Sequence, residues 1–385
     1  MKLACYLLYF YCERIFVFFI KLFFSKHPDH YDVMILKLDG LGDYILFRNF
    51  LTELTSSEHF KKKSILFVGN SAWREIAESF DNHLINKTIW LSRAEFRLQE
   101  FRIRSRLKTI KNLSRYQVDI LICPTYTRIS SVDSLAAHIN ARIKIAQNGF
   151  TTPYLKPITD AYYDLLSPTQ HGVLFEFERN RQFFEWLLNK KLYTKLRITP
   201  KINTEFQDLY KNYVVLFINA STAWREWPIE NFCELAKWIY KIYGFKSLFC
   251  GTNQNDFCTN QIQSIPLSVN LVGKTNLKEL LDILEGAKFV VSNETSVPHM
   301  CVAMGIPVFT IYNGNSFGEF IPYPKHLATE YYPIYHPYIS ADLKKYEQDS
   351  NKYPYHSQLN IRAVTVQKVI HTIKDNFIHI NAQGF

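Results

Sequence analysis

Two consecutive α/β domains, each a parallel doubly wound sheet, are the fold class this sequence predicts. Three observations predict it. A β-branched and aliphatic run at 33–38 opens into Gly40-Leu41-Gly42-Asp43, and a stretch with helical apolar spacing follows at 44–54. Strand, glycine turn and helix in that order begin a βαβ unit. The same order restarts at 213–219 with YVVLFIN, a Ser/Thr turn and a helix at 229–243. Finally, 385 residues exceed the ~250–300 at which a single core stops growing.

The elements follow in order. In the first half, further strands are expected at 64–68, 119–123 and 143–146, with helical stretches between them. In the second half come a strand at 247–250, the turn Gly251-Thr252-Asn253 and a short strand near Leu271. A helix at 277–285 and a strand at Phe289, Val290 and Val291 complete the pattern. The strand at 289–291 breaks into Ser292-Asn293-Glu294-Thr295-Ser296, then a helix carrying His299, then Gly305 and Pro307. Residues 331–355 are rich in Tyr and Pro and poorly periodic, and a last helix is expected at 364–377. Two Rossmann-like domains therefore meet near Pro200.

Composition bounds the partners. With 47% hydrophobic and 21% charged residues the chain builds full cores and is not disordered. A formal charge of +10 suggests an anionic partner: nucleic acid, an acidic membrane surface or a phosphorylated substrate. The excess is concentrated at 93–115, where Arg93, Arg97, Arg102, Arg104, Arg106, Lys108, Lys111 and Arg115 face only Glu95 and Glu100. Most charge runs are solvated helix faces, which is the plain reading here. No zinc-finger spacing, aromatic RNA-binding signature or heptad accompanies it, so nucleic acid is the weaker partner. Seven scattered cysteines without a CxxC fit a reducing, cytosolic compartment.

The first 24 residues, MKLACYLLYFYCERIFVFFIKLFF, are apolar and aromatic but interrupted by Glu13, Arg14 and Lys21. Their longest uncharged run, 3–12, is about half the ~20 residues a span needs, and no small-residue cleavage site follows. An in-plane amphipathic anchor is the preferred reading, with a packed helix or an atypical span as alternatives.

Several segments have the composition of a chemical site. Asp43 would stand at the mouth of the first strand and at a helix N-terminus, which favours its carboxylate form. Such a carboxylate can accept a proton from a substrate hydroxyl, while the plainer role is an N-terminal helix cap. Gly-x-Gly without a third glycine is a weak phosphate-loop signal. Gly273-Lys274-Thr275 lacks the glycine a nucleotide P-loop needs five residues earlier, where Ser268 stands. The loop NASTAWREWP at 219–228 sets Ser221, Thr222 and Arg225 before a helix that Pro228 is suited to open. Hydroxyls and a guanidinium there suit a diphosphate leaving group. The polar turn at 292–296, between strand and helix, is where open α/β folds bind nucleotides and phosphates. His299 alone is more often a satisfied core histidine than a ligand. No second ligand stands at zinc spacing and no Asp-x-Asp pair occurs, so no metal is expected.

Four pieces in order resemble glycosyltransferase family 9, the heptosyltransferases of the lipopolysaccharide inner core. They are ILKLDGLGDYIL, FINASTAWREWP, LVGKTNLKELLDILEGAKFVVSNETSVPH and GIPVFTIYNGNSF. The resemblance implies a GT-B fold, two Rossmann-like domains facing each other across a cleft. It also implies an inverting, largely metal-independent transfer from an ADP-activated heptose to an acidic lipid-linked saccharide. On that pattern Asp43 matches the general base. Arg225 stands where the family usually has a phosphate-contacting lysine, Ser221 matches a hydroxyl of the same loop, and Thr275 lies in the loop lining the nucleotide. Glu294, Thr295, Ser296 and His299 occupy an Asp-Thr-Gly-x-x-His signature. Three departures bear on the donor: Arg for Lys at 225 changes reach and geometry, Glu for Asp at 294 adds a methylene, and Ser for Gly at 296 adds a side chain.

The resemblance divides the chain into a membrane-associating segment (1–26), an acceptor domain (27–202), a nucleotide-sugar domain (203–345) and a tail with a helix packing back on the first domain (346–385). Asp43 is expected to deprotonate the acceptor hydroxyl, while Arg225, Ser221, Thr222, Thr295 and backbone N–H groups after Ser296 stabilise the departing diphosphate. Arg102, Arg104 and Arg106 are candidates to hold a phosphorylated acceptor. The expected place is the cytoplasmic face of the inner membrane, as a peripheral protein, with no cofactor beyond the nucleotide-sugar donor. Two alternatives stay open: the same fold using another nucleotide sugar, and a catalytically silent nucleotide-sugar-binding scaffold.

Overall fold

The computed structural model describes residues 10–16, 18–19, 29–97, 103–170, 172–199, 205–252, 256–328, 330–349, 357 and 359–382. The chain forms two compact units: Met1–His171 with Glu178–Thr194, and Gly172–Phe177 with Lys195–Phe385.

The first unit is built on a six-stranded sheet of β1 (Asp29–Lys37), β2 (Ile65–Asn70), β3 (Lys87–Leu91), β4 (Tyr116–Cys123), β5 (Asn140–Ala146) and β6 (Leu165–Leu166). Its order is β3-β2-β1-β4-β5-β6 with every pairing parallel. The central strand β1 pairs on both sides, with Ile35 opposite Phe67 and Ile122. Burial on both faces explains why 33–36 read as an unbroken apolar run. Met34, Leu36, Leu66, Val68 and Leu121 fill the core on one face. After the glycine turn, helix Leu41–Phe47 is fixed by Tyr44, whose ring stacks on Trp73 at 4.0 Å and whose hydroxyl donates to Asp81 at 2.6 Å. Arg48 closes the same buried knot with a 2.7 Å bond to Asp81.

The second unit repeats the plan with β7 (Tyr213–Phe217), β8 (Lys246–Cys250), β9 (Ser268–Asn270), β10 (Val290–Asn293), β11 (Val308–Tyr312) and β12 (Tyr331–Tyr335). The order β12-β11-β10-β7-β8-β9 is again wholly parallel. Helix Ile229–Tyr243 starts directly after Pro228 and stops at Gly244, whose φ of +67° supplies the left-handed C-terminal cap. Helix Leu277–Glu285 begins with a reciprocal cap, in which Asn276 accepts from the Glu279 N–H and Glu279 from the Asn276 N–H.

The described core residues of the final helix, Val366–Ala382, lie in the second unit. Val366, Val369 and Ile373 join Leu216, Phe249, Val291 and Phe309 in the core of the second unit. The Trp227 indole N–H donates to the Val364 carbonyl at 2.7 Å, securing the approach to that helix.

The sequence reading also missed four strands, β3, β6 and β12 at sheet edges and β11 inside the second sheet. In the amino-terminal segment, residues 10–16 and 18–19 are helical, and among the described residues no helix is long and apolar enough to cross a membrane.

Candidate functional site

In both sheets the chain winds outward through three strands and then returns to the other side of the first. This places a switch point between β7 and β10, and another between β1 and β4. Ligands of open α/β sheets bind outside the carboxyl ends of the strands at such points. The loop after β7 carries Ser221, Thr222 and Arg225, and the turn after β10 carries Glu294 and Thr295, so the sequence-derived donor residues flank one switch point.

Arg225 ties these two segments together. Its Nη1 donates to Glu294 Oε1 at 3.2 Å, its Nε to Thr222 Oγ1 at 3.0 Å, and its Nη2 to Ser221 Oγ. The guanidinium also lies 5.4 Å from the Trp224 ring centroid. Ser221 and Thr222 are exposed, whereas Glu294 is buried. Burial pushes the Glu294 carboxyl above its ordinary pKa, and Arg225 and Asn315 pull the other way. Asn315 donates to the same Oε1 at 3.1 Å, while Glu294 Oε2 is buried without a hydrogen-bond partner. A buried carboxylate holding a more accessible guanidinium produces an aimed cation, with two hydroxyls beside it that solvent or an anion can reach.

Backbone ties set the loop's position. The Trp227 N–H donates to Asn293 Oδ1 at 2.9 Å, and Asn293 Nδ2 donates back to the Ile218 carbonyl at 2.7 Å. Glu226 Oε1 accepts from the Ala220 N–H at 3.0 Å. The β7, β8 and β9 loops are stitched in series. The Thr252 N–H donates to Asn219 Oδ1 at 3.0 Å, and the Gly273 N–H to the Gly251 carbonyl at 2.8 Å. A Cβ on Gly251 would come within 2.2 Å of Asn219 Oδ1, so glycine is needed for this approach. Thr275, half-buried, sits on the β9 loop, two strands from β7.

Thr295 caps helix Ser296–Met304 in an extended conformation without a side-chain cap bond, and Ser296 is the first helical residue. Both are half-buried. His299 lies inside that helix and is buried, its Nδ1 2.6 Å from the Tyr323 hydroxyl and its ring against Phe320 and Tyr323. Burial lowers its pKa to about 4, so it is neutral at physiological pH. This is the environment of a core histidine.

At the β1/β4 switch point, Asp43 occupies the third position of its helix and accepts from the Gly40 N–H at 3.0 Å. The capping contact is therefore made in this structure, by the same half-buried carboxylate that the sequence offers as a base. Sequence reasoning missed its neighbours. Lys37, buried at the end of β1, lies 2.5 Å from Asp39 Oδ2, which also accepts from Thr125 Oγ1 at 3.0 Å. The Asp39 carbonyl accepts from Asn70 at 2.9 Å and Trp73 at 3.2 Å, fixing the turn. The LKLDG spelling at 36–40 was the available signal for this pair.

Of the cations offered for an acceptor, Arg102 lies outside the described residues and Arg104 is exposed. Arg106 requires a correction. It is buried, and its Nε and Nη2 donate to Glu13 at 3.1 and 3.2 Å, with Nη2 also bonded to Ser134 at 3.0 Å. A guanidinium sealed by an acid from the amino-terminal helix serves packing instead of presenting a charge. Among the described residues, no group of three or more His, Cys, Asp or Glu side chains could hold a metal ion.

Comparison with known proteins agrees with this arrangement. Residues 106–337, more than half of the chain, match the family model described as glycosyltransferase family 9 (heptosyltransferase). A curated relative, lipooligosaccharide heptosyltransferase 2 of Haemophilus influenzae, is 28% identical over 98 residues, which is 24% of this chain and 28% of that protein. The match thus spans under a third of that relative's length. Among solved structures, a family 9 glycosyl transferase from Veillonella parvula superposes with a TM-score of 0.67 at 16% identity, covering 92% of this chain and 99% of that one. The E. coli heptosyltransferase WaaC with ADP gives 0.61 at 17% identity, covering 90% and 99%. At these identities the structural likeness establishes the shared GT-B fold.

Proposed function

The chain belongs to glycosyltransferase family 9, and from that premise we propose that it is an inverting glycosyltransferase. It moves a sugar, heptose from ADP-heptose, to a lipopolysaccharide-core or other lipid-linked saccharide. The observation that carries the reading is the Arg225 fork, held by Glu294, Ser221 and Thr222 across the β7/β10 switch point. ADP is the nucleotide in the related WaaC structure, which supports an adenosine diphosphate-linked donor.

In this reading Asp43 takes the proton from the acceptor hydroxyl as its oxygen attacks the anomeric carbon. The bond from that carbon to the diphosphate oxygen breaks on the opposite face, which inverts the centre. The leaving diphosphate gains one negative charge, and Arg225, the Ser221 and Thr222 hydroxyls, and Thr295 with the first N–H groups of helix Ser296–Met304 meet it. Thr275 lines the nucleotide. Glu294 orients Arg225. Arg104 and its basic neighbours are offered to the anionic acceptor, which is carried at the cytoplasmic face of the inner membrane.

A second reading, another nucleotide sugar on the same machinery, draws support from the site itself. Glu294 reaches Arg225 and Asn315 with one oxygen while the other is buried without a partner, and Ser296 places a side chain at the helix start. Purified protein assayed for nucleotide release against a panel of ADP-, UDP- and GDP-sugars with core oligosaccharide separates the two. Release from ADP-heptose alone supports the first reading, and selective use of another donor supports the second. Nucleotide binding without release or transfer from any donor would refute both.

A further inference from the structure

We propose that the amino-terminal helix is an in-plane docking element for an anionic bilayer surface, keyed to the first unit by Glu13. The lipid-linked acceptor gives this surface its biological sense, so the inference rests on the functional reading above, but the binding itself needs neither donor nor acceptor.

Glu13 is the only acid among the first 28 residues. Within an apolar stretch it would be an oddity, and the structure accounts for it. Its carboxylate is buried, receives the bidentate Arg106 fork, accepts from Ser134 Oγ, and lies 2.9 Å from His138 Nε2. Ser134 and His138 stand on helix Ser130–His138 and Arg106 on helix Ile103–Leu113, so one side chain joins the amino-terminal helix to two others. Phe10, one turn earlier, is buried as well.

The opposite face is apolar and open. Tyr11 and Ile15 lie two residues on either side of Glu13, which at about 100° per residue places them across the helix from it. They and Phe18 and Phe19 are 45–65% exposed. Cations complete the pattern. With Glu13 sealed against Arg106, the charged side chains left to this segment are Lys2, Arg14, Lys21 and Lys26, all positive. Arg14 is exposed at the helix flank, 5.3 Å from the Tyr162 ring centroid. An apolar face in a segment whose remaining charges are all positive has the composition of a helix lying in the headgroup region, and the charge selects an anionic surface over a neutral one. Because the opposite face is locked by ionic contacts, such docking would hold the first unit in a fixed orientation to the lipid.

Sedimentation of the full-length protein with vesicles of phosphatidylcholine alone, or with phosphatidylglycerol at about 7:3, tests this. The expected result is binding to the anionic vesicles that weakens in about 0.5 M salt, with little binding to neutral ones. The double variant Phe18→Asp with Phe19→Asp changes only exposed positions. It should bind at least ~10-fold more weakly while keeping its melting temperature and its turnover of a soluble acceptor. Glu13→Gln should still bind vesicles, but in their absence its first 28 residues should be cleaved by protease at least ~10-fold faster than in wild type. Wild-type protein that ignores anionic vesicles, or a double variant that binds as well as wild type, overturns the proposal. So does a dimer that the double variant converts to monomer, which would assign the face to a second copy. Loss of turnover with intact vesicle binding would count against the transferase reading alone.

Discussion

Arg225 Nη1 lies 3.2 Å from Glu294 Oε1, joining the loop after β7 to the turn after β10 across the switch point of the second sheet. One partner is buried and the other half-buried, so the pair is asymmetric: the acid is committed to the fold and the cation is displayed.

That asymmetry predicts unequal mutations. Arg225→Ala leaves Glu294 as a buried carboxyl with Asn315 as its remaining partner and should cost about 1–3 kcal/mol, below the 3–5 of a fully buried pair because Arg225 is partly solvated. Glu294→Gln keeps the volume but loosens the guanidinium, and should raise the donor KM roughly tenfold with less loss of kcat. Denaturant titration and initial-rate kinetics read the two effects.

Gly251→Ala should disturb the donor loops more than the fold. The added carbon meets Asn219 Oδ1 at 2.2 Å, the atom that accepts from the Thr252 N–H. A stability loss of about 1–2 kcal/mol, with a rise in nucleotide Kd of about tenfold or more, is the expected outcome by thermal shift and calorimetry.

His299 gives the protein an acid-sensitive element. Its pKa is lowered by burial from 6.5 to about 4, so the folded state resists its protonation. Its contribution to stability is complete above about pH 6.5 and is lost as pH falls through about 4, a loss of roughly 3 kcal/mol. His299→Phe should flatten the melting temperature between pH 6.5 and 4. An unchanged slope in that window would place the sensitivity elsewhere.

The Glu13 knot predicts a similar window at lower pH. Burial opposes its ionisation, but His138 and Arg106 outweigh it and hold the pKa at about 2. The stabilisation is therefore present above the ordinary glutamate pKa and is lost as pH falls toward 2. Glu13→Ala strands Arg106 and should cost about 3–5 kcal/mol at neutral pH, whereas Glu13→Leu with Arg106→Met should recover much of it. Chemical denaturation of the single and double variants measures both.

The central strands and the helices Ile229–Tyr243 and Leu277–Glu285 were legible because burial on both faces, or a clear amphipathic period with caps, writes itself into local sequence. Of the missed strands, β11 (VFTIY) is a short, wholly buried apolar run whose type periodicity leaves open, and the other three are edges. β3 (KTIWL) has only its last residue buried, β6 is two residues long, and β12 (YYPIY) carries Pro333, which is tolerated at an edge. Site residues within one motif were likewise legible. Glu294 with Asn315, and Glu13 with Arg106, were not, because such contacts join positions 21 and 93 residues apart that only the fold brings together. Arg106 looked like a surface charge for the same reason: its partner lies in another element.

Asp43 tests the account most directly, because its cap and its proposed chemistry can be separated. Asp43→Asn keeps an oxygen for the Gly40 N–H, now 3.0 Å from the carboxylate, but cannot take a proton at neutral pH. Steady-state transfer from the preferred donor, with melting temperature and donor affinity measured alongside, is the decisive assay. Turnover lower by about 10²–10⁴, with the other two unchanged, is the expected result. Turnover near that of wild type would contradict it.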